Sequence, residues 1–365
     1  MATQPSVHTV SAAAPEVKPA KKKLVRRAGS DRSQQLRLGF QLAFVALNAW
    51  LGTQFYMWVR HYETLGATRL VERPAGVEGW LPIAALMNLK YLLLTGSIPK
   101  IHPAGMFLLI SFLGMTLLFR KAFCSWLCPV GTLSEYLWKF GRRTFRRNFN
   151  LPRWADIPLR GLKYLLLGFF LYVIGSMGAD ALAAFLASPY GLIADVKMLN
   201  FFRFMGATAA ITLGILILLS MFVQNFWCRY LCPYGALMGF FSLVSPLRIQ
   251  REAEPCIDCA KCAKACPSNL PVDKLVQIRS AECTGCLECV AVCPAEGALH
   301  ASIGIPLLAK PARKISPVAI AAGIAILFFG LVGFAKVSGH WQTNLPSEIY
   351  QQLVPTANEA SHPGI

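Results

Sequence analysis

Twelve cysteines stand in this chain, and four short motifs use all of them. Cys256, Cys259, Cys262 and Cys266 form a C-x2-C-x2-C-x3-C-P run, and Cys283, Cys286, Cys289 and Cys293 form a second copy 27 residues on. Cys124 and Cys128 form a C-x3-C-P pair, and Cys228 and Cys232 form another. Two four-cysteine runs of this kind hold two [4Fe–4S] cubes, each taking three thiolates from one run and the last from the other. One cluster is therefore expected on Cys256, Cys259, Cys262 and Cys293, and the second on Cys283, Cys286, Cys289 and Cys266. Zinc needs only four thiolates and has no use for a further cysteine at the same spacing. The proline after Cys266 and Cys293 fixes its own φ and removes a donor, which favours a sharp exit towards the other cluster. The residues able to do chemistry thus point to one-electron transfer.

The two C-x3-C-P pairs leave more open. A spacing of i, i+4 puts both thiols of a pair on one helical face. Four thiolates from Cys124, Cys128, Cys228 and Cys232 could hold a third iron–sulfur centre. Each pair could instead cycle between dithiol and disulfide, or be buried as small apolar side chains. The pairs lie in an ungapped internal repeat, in which residues 123–133 align with 227–237. This repeat predicts two turns packed side by side about a pseudo-twofold axis, with the four thiols converging.

The elements that position these motifs belong to a membrane protein. Of 365 residues, 55% are hydrophobic and 15% charged, where a soluble domain is nearer a quarter charged. Apolar stretches at 38–59, 104–119, 164–186, 207–226 and 315–337 predict about five transmembrane helices. A sixth stretch, 81–94, is short, carries Asn88 and Lys90, and fits an interfacial or re-entrant segment better than a span. The net charge of +18 gathers in alternate segments, 1–37, 120–163 and 227–314. That is the positive-inside pattern and not a nucleic-acid footprint. It sets the N-terminus and the ferredoxin unit in the cytoplasm and the C-terminus outside, in a multi-pass protein of a bacterial inner membrane.

The fold class expected is an α-helical polytopic membrane protein with an inserted cytoplasmic 2[4Fe–4S] ferredoxin domain, a small α+β unit. Its divisions are a basic, disordered tail at 1–37 that touches lipid headgroups, a transmembrane domain with both C-x3-C-P repeats at 38–248, and the ferredoxin at 249–303. A C-terminal transmembrane helix at 304–337 and an extracytoplasmic tail at 338–365 follow. His61, His102 and His340 map to the outer ends of spans. There they could form a quinol or metal site, since histidine can take protons released on quinol oxidation, or serve as interfacial residues beside Trp58, Tyr62, Trp80 and Trp341. No C-x-x-C-H, P-loop or G-x-G-x-x-G occurs, so covalent haem and nucleotide binding have no support, and no catalytic residue is assigned.

Residues 81–303, with both C-x3-C-P turns and the eight-cysteine ferredoxin, resemble the NapH and NosR types of membrane ferredoxin. The resemblance implies quinol oxidation or electron supply to a periplasmic redox enzyme, with membrane lipid, quinone and another redox protein, a cytochrome or reductase, as partners. The chain lacks the large flavin-binding domain of the NosR type. A related alternative is a CcoG-like assembly factor that reduces a metal or thiol so that a metalloenzyme can mature.

Overall fold

The computed structural model describes residues 24–27, 29, 31–146, 149, 151–304 and 313–362. Helix α1 (Ser33–Glu63) runs the length of the molecule. Its 31 residues, at 1.5 Å each, reach about 46 Å. Its first turns touch the cysteine-rich unit and its last turns touch the C-terminal tail. Next comes α2 (Pro82–Thr95), which packs on α3 (Pro103–Phe119), the most buried helix of the bundle. A π-helical turn, Phe123–Leu127, links α3 to α4 (Pro129–Phe145). After α5 (Arg153–Ser176) come the short α6 (Ala179–Ala187), α7 (Pro189–Leu192) and α8 (Ala194–Arg203). The repeat then returns: α9 (Ala207–Phe222), a π-helical turn at Trp227–Leu231, and α10 (Pro233–Ser242).

The cysteine-rich unit follows as a four-stranded antiparallel sheet in the order β2-β1-β3-β4. Strand β1 (Leu247–Arg251) pairs with β2 (Gln277–Ile278) and β3 (Leu299–Ile303), Ile249 standing opposite both Ile278 and Ala301. Strand β4 (Arg313–Lys314) adds to β3, so the unit reaches past the expected limit of 303. Helices α11 (Lys261–Ala265) and α12 (Glu288–Ala291) each carry one cysteine, Cys262 and Cys289. Helix α13 (Pro317–Val337) then packs against α3, and α14 (Ser347–Leu353) closes the chain.

Among the described residues, two helices are long and apolar enough to cross a membrane, within Trp154–Ser176 and Pro317–Val337. A third crossing arises if α8 and α9, bent by 80°, act together. Helix α1 carries Arg37, Gln41, Asn48 and Gln54, which lower its hydropathy, and α2 and α3 are shorter than a usual span. The stretch expected as one span at 164–186 is instead broken. Helix α5 stops at Ser176, Gly178 caps α6, and the Lys90 ammonium of α2 donates to the freed carbonyls of Ile174 and Gly175 at 2.8 Å.

Two further expectations change. The tail at 1–37 is not disordered throughout: α1 begins at Ser33, and Arg26 bridges to Ala295 beside the second cysteine run. Its first 23 residues lie outside the described ones. The segment 338–362, expected as a tail, packs on the rest of the chain. Thr343 donates to Glu78 at 2.8 Å, and Tyr350 lies at 4.9 Å, edge to face, from Trp58.

Candidate redox site

The two ferredoxin runs fold as copies. Asp258 and Ala260 hold positive φ of 54° and 55°, and Gly285 and Leu287, 27 residues on, hold 64° and 59°. These left-handed residues curl the backbone between cysteines, so that successive N–H groups face the thiols as an anion-binding nest. The curled runs bring Cys293 beside Cys256, Cys259 and Cys262, and Cys266 beside Cys283, Cys286 and Cys289. Each run's last cysteine thus lies beside the first three of the other run. In the first set Cys259 is exposed, Cys256 and Cys293 half-buried and Cys262 buried, whereas Cys266, Cys283, Cys286 and Cys289 are all buried and line one hollow. The first set therefore faces outward and the second inward.

The C-x3-C-P pairs are built alike. Each π-turn closes by a bond five residues back, Cys128 N–H to Phe123 O at 2.9 Å and Cys232 N–H to Trp227 O at 3.0 Å. Such wide turns recur at functional sites. Proline at the first helical position then starts α4 and α10, leaving Cys128 and Cys232 as their N-caps. The Gly235 N–H donates to Cys232 Sγ at 3.2 Å, and backbone N–H groups of Val130 and Gly131 serve Cys128. A helix N-terminus favours negative charge, as a thiolate ligand requires.

All four thiols converge, as the repeat predicted: Cys128 faces Cys124 and Cys232, and Cys228 faces the other three. None is in a disulfide. Burial pushes Cys124 up to about 11 and Cys128 up to about 12, so bare thiols here would stay protonated. Among the described residues no three cysteine, histidine or acidic side chains close around a point as one metal ion would demand.

A cavity of about 690 Å³ begins at these four cysteines. It runs beneath Pro267 and Thr284 of the cysteine-rich unit and extends past Phe44, Leu108 and Phe328 to Trp80, Trp341 and Gln342 at the far end of the bundle. The inward-facing ferredoxin run rests directly on the first pair. Ser125 Oγ donates to Thr284 O at 2.8 Å, and the fully buried Trp126 donates from Nε1 to Gly285 O at 3.3 Å. Cysteine motif, cavity and ferredoxin loop are thus in contact.

The three histidines do not form one site. His102 is fully buried, with Nδ1 3.4 Å from Glu78 Oε1 and Nε2 2.9 Å from Gly191 O. Burial opposes its charge, but the Glu78 carboxylate outweighs this and holds it above the usual histidine range. Arg73 completes the network, pairing with Glu78 at 3.0 Å and Asp195 at 2.6 Å. His61 bonds to Thr68 O at 2.5 Å near the surface, and His340 is exposed past the end of α13. Sequence reasoning missed Lys121, Lys163 and Glu282, which stand beside the four thiols; only their sign, in a basic segment, was visible.

Gly131 explains one feature of the repeat. A Cβ there would lie 2.1 Å from Cys124 O, whereas one on Gly235 would lie 3.4 Å from Cys228 O. Gly131→Ala should therefore cost about 1–3 kcal/mol as the backbone shifts, and Gly235→Ala should be near neutral. Thermal unfolding of the two variants checks this, and the reverse ranking would contradict it.

Comparison with known proteins agrees with the cysteine geometry. A family model described as a 4Fe-4S binding domain matches residues 101–148 and 205–251, one copy over each C-x3-C-P turn. A 4Fe-4S dicluster domain model matches 248–294. YccM of Escherichia coli (strain K12), named for electron transport, is 51% identical over 326 residues, 89% of this chain and 91% of YccM. The ferredoxin-type protein NapH of the same organism is 29% identical over 149 residues, 40% of this chain and 48% of NapH. The regulatory protein NosR of Pseudomonas aeruginosa is 29% identical over 176 residues, 44% of this chain and 22% of NosR. The chain thus spans about half of NapH and about a fifth of NosR. No solved structure matches it.

Proposed function

Since the chain belongs to the YccM family of membrane-associated 4Fe-4S electron-transport proteins, we propose that it carries electrons between quinol in the membrane and a partner redox protein. The observation that carries this reading is the contact between the four-thiol turns, the apolar cavity and the inward-facing ferredoxin run. Iron–sulfur cubes, when bound, supply one-electron chemistry at potentials tuned by charge, hydrogen bonds and exposure.

In this reading Cys256, Cys259, Cys262 and Cys293 hold the outer cluster, and Cys283, Cys286, Cys289 and Cys266 the inner one. Cys124, Cys128, Cys228 and Cys232 hold a third. The residues of this chain do the rest. Trp126 and Ser125 fix the inner run against the third site. Phe44, Leu108 and Phe328 keep the cavity apolar, as a quinone ring and tail require. A pocket of this size and character suits such a ligand. The exposed Cys259 edge faces the soluble partner.

The chain lies in the inner membrane with five crossings in this reading, its ferredoxin unit cytoplasmic and its C-terminus periplasmic. Basic loops at 120–163 and 227–314 support that sidedness. Inverted membrane vesicles, which expose the cytoplasmic face, test both parts. A quinol analogue should reduce the clusters, followed by electron paramagnetic resonance, and added protease should cut the ferredoxin unit. Clusters that dithionite reduces but quinol does not would sink the quinol reading, and a protected ferredoxin unit would sink the sidedness.

A further inference from the structure

The four thiols are not the most charged part of their own pocket. Lys121 follows the end of α3 by two residues and is 3% exposed; Lys163 on α5 is fully buried. Both turn to a single carboxylate, Glu282, at 3.9 Å and 2.7 Å. Beside them, Arg229, which lies between Cys228 and Cys232, reaches Asp156 at 2.8 Å. Arg160 pairs with that same Asp156. Among the described residues, the ion pairs of these four cations run to these two carboxylates alone. Arg160 is 21% exposed, so the buried part of the set, Lys121, Lys163 and Arg229 against Glu282 and Asp156, carries one more positive than negative charge. Lys121, Glu282 and Arg229 line the cavity together with Cys124, Cys128, Cys228 and Cys232. Arg229 is 6% exposed, and its Nε has no hydrogen-bond partner among the described residues.

An uncompensated buried charge strongly destabilises a fold. An excess of this kind is stable only opposite a negative group. Protonated thiols and disulfides are neutral and cannot supply one. Four thiolates around an iron–sulfur cube leave the centre a dianion when oxidised, and one electron makes it more negative by a further unit. We propose that Lys121, backed by Lys163, is the counter-charge of an iron–sulfur centre on Cys124, Cys128, Cys228 and Cys232, and that it sets the potential at which that centre accepts an electron. The inference rests on the third-centre reading above and deepens it. The step is the gain of one electron, from quinol or from the inner ferredoxin cluster. The centre itself changes no ligand and takes up no proton; where quinol is the donor, it loses a proton with the electron it gives. Lys121 is a positioning charge, since it acts through the field and not as a ligand.

The test is a redox titration of the full-length membrane protein, followed by electron paramagnetic resonance, with iron measured in parallel. Lys121→Met should make the third centre harder to reduce, by about tenfold in the reduction equilibrium or about 59 mV for one electron. Lys121→Arg keeps the charge and should stay near the wild-type potential. The two ferredoxin signals should move less in both variants. An unmoved third potential in Lys121→Met, or an equal shift in Lys121→Arg, overturns the counter-charge role alone. If Lys121→Met loses the third centre, Lys121→Arg decides: full iron supports the role of charge, and loss overturns it. Wild-type protein with about eight irons and no third signal overturns this inference and the third-centre reading together.

Discussion

Cys124→Ser and Cys228→Ser are expected to give the same loss, although the two residues belong to different repeats 104 residues apart. Each should lower iron from about twelve to about eight atoms per chain, since a cube needs four thiolates and each change removes one. The remaining eight irons should stay in the ferredoxin unit, whose ligands are distinct. Quinol-driven reduction of those clusters should fall by at least about tenfold, because the inner run contacts the membrane domain at the turn holding Cys124. The double variant should be no worse than either single one, as for residues acting as a unit. Convergence of the four thiols makes this a strict test. Independent, additive losses would mean separate dithiol pairs. Full iron in both single variants would leave the cysteines as packing.

Cysteine spacing carried most of this site, because ligation fixes residue type and separation together. The 27-residue repeat has its structural counterpart in the matching left-handed residues at Asp258 and Gly285. The π-turns were not legible. An i, i+4 pattern reads as a plain helical face, and only the shift to a bond five residues back, at Cys128 and Cys232, distinguishes them. The break at Met177 was hidden for a related reason. Residues 164–186 are apolar but for Ser176 and Asp180, and the freed carbonyls at the helix end are taken by a tertiary contact, Lys90. Charge counting misled in another way. It reports sign but not depth. Lys121 and Lys163 were counted with a lipid-facing basic loop, yet both are buried against Glu282, 119 residues from Lys163.

Arg37 shows the same blindness with the largest structural consequence. It ends the segment expected to be a loose tail, but its side chain is 4% exposed. Its guanidinium grips Glu135 of α4 with both arms, at 2.6 and 2.7 Å, and reaches Glu288 of α12 at 3.0 Å. It joins α1, the first C-x3-C-P helix and the inner ferredoxin run at one point. Gln34 and Gln41 reinforce this joint, donating to Cys286 O and Ser125 O, each at 3.0 Å. Arg37→Ala leaves Glu135 buried with Lys139 as its remaining ion-pair partner among the described residues. Breaking a buried pair from one side costs about 3–5 kcal/mol. The expected result is a lower melting temperature and a ferredoxin unit that protease releases more readily, with its eight irons still bound. Arg37→Lys should fall between, since it keeps the charge but loses the two-armed grip. Combining Arg37→Ala with Glu135→Ala should recover part of the loss, because no uncompensated carboxylate then remains. If the two changes simply add, or if Arg37→Ala melts as the wild type does, the clamp does not hold the redox unit to the bundle. The docking would then rest on the other contacts across this seam, those of Trp126 and Ser125 and those of Lys121 and Lys163 with Glu282.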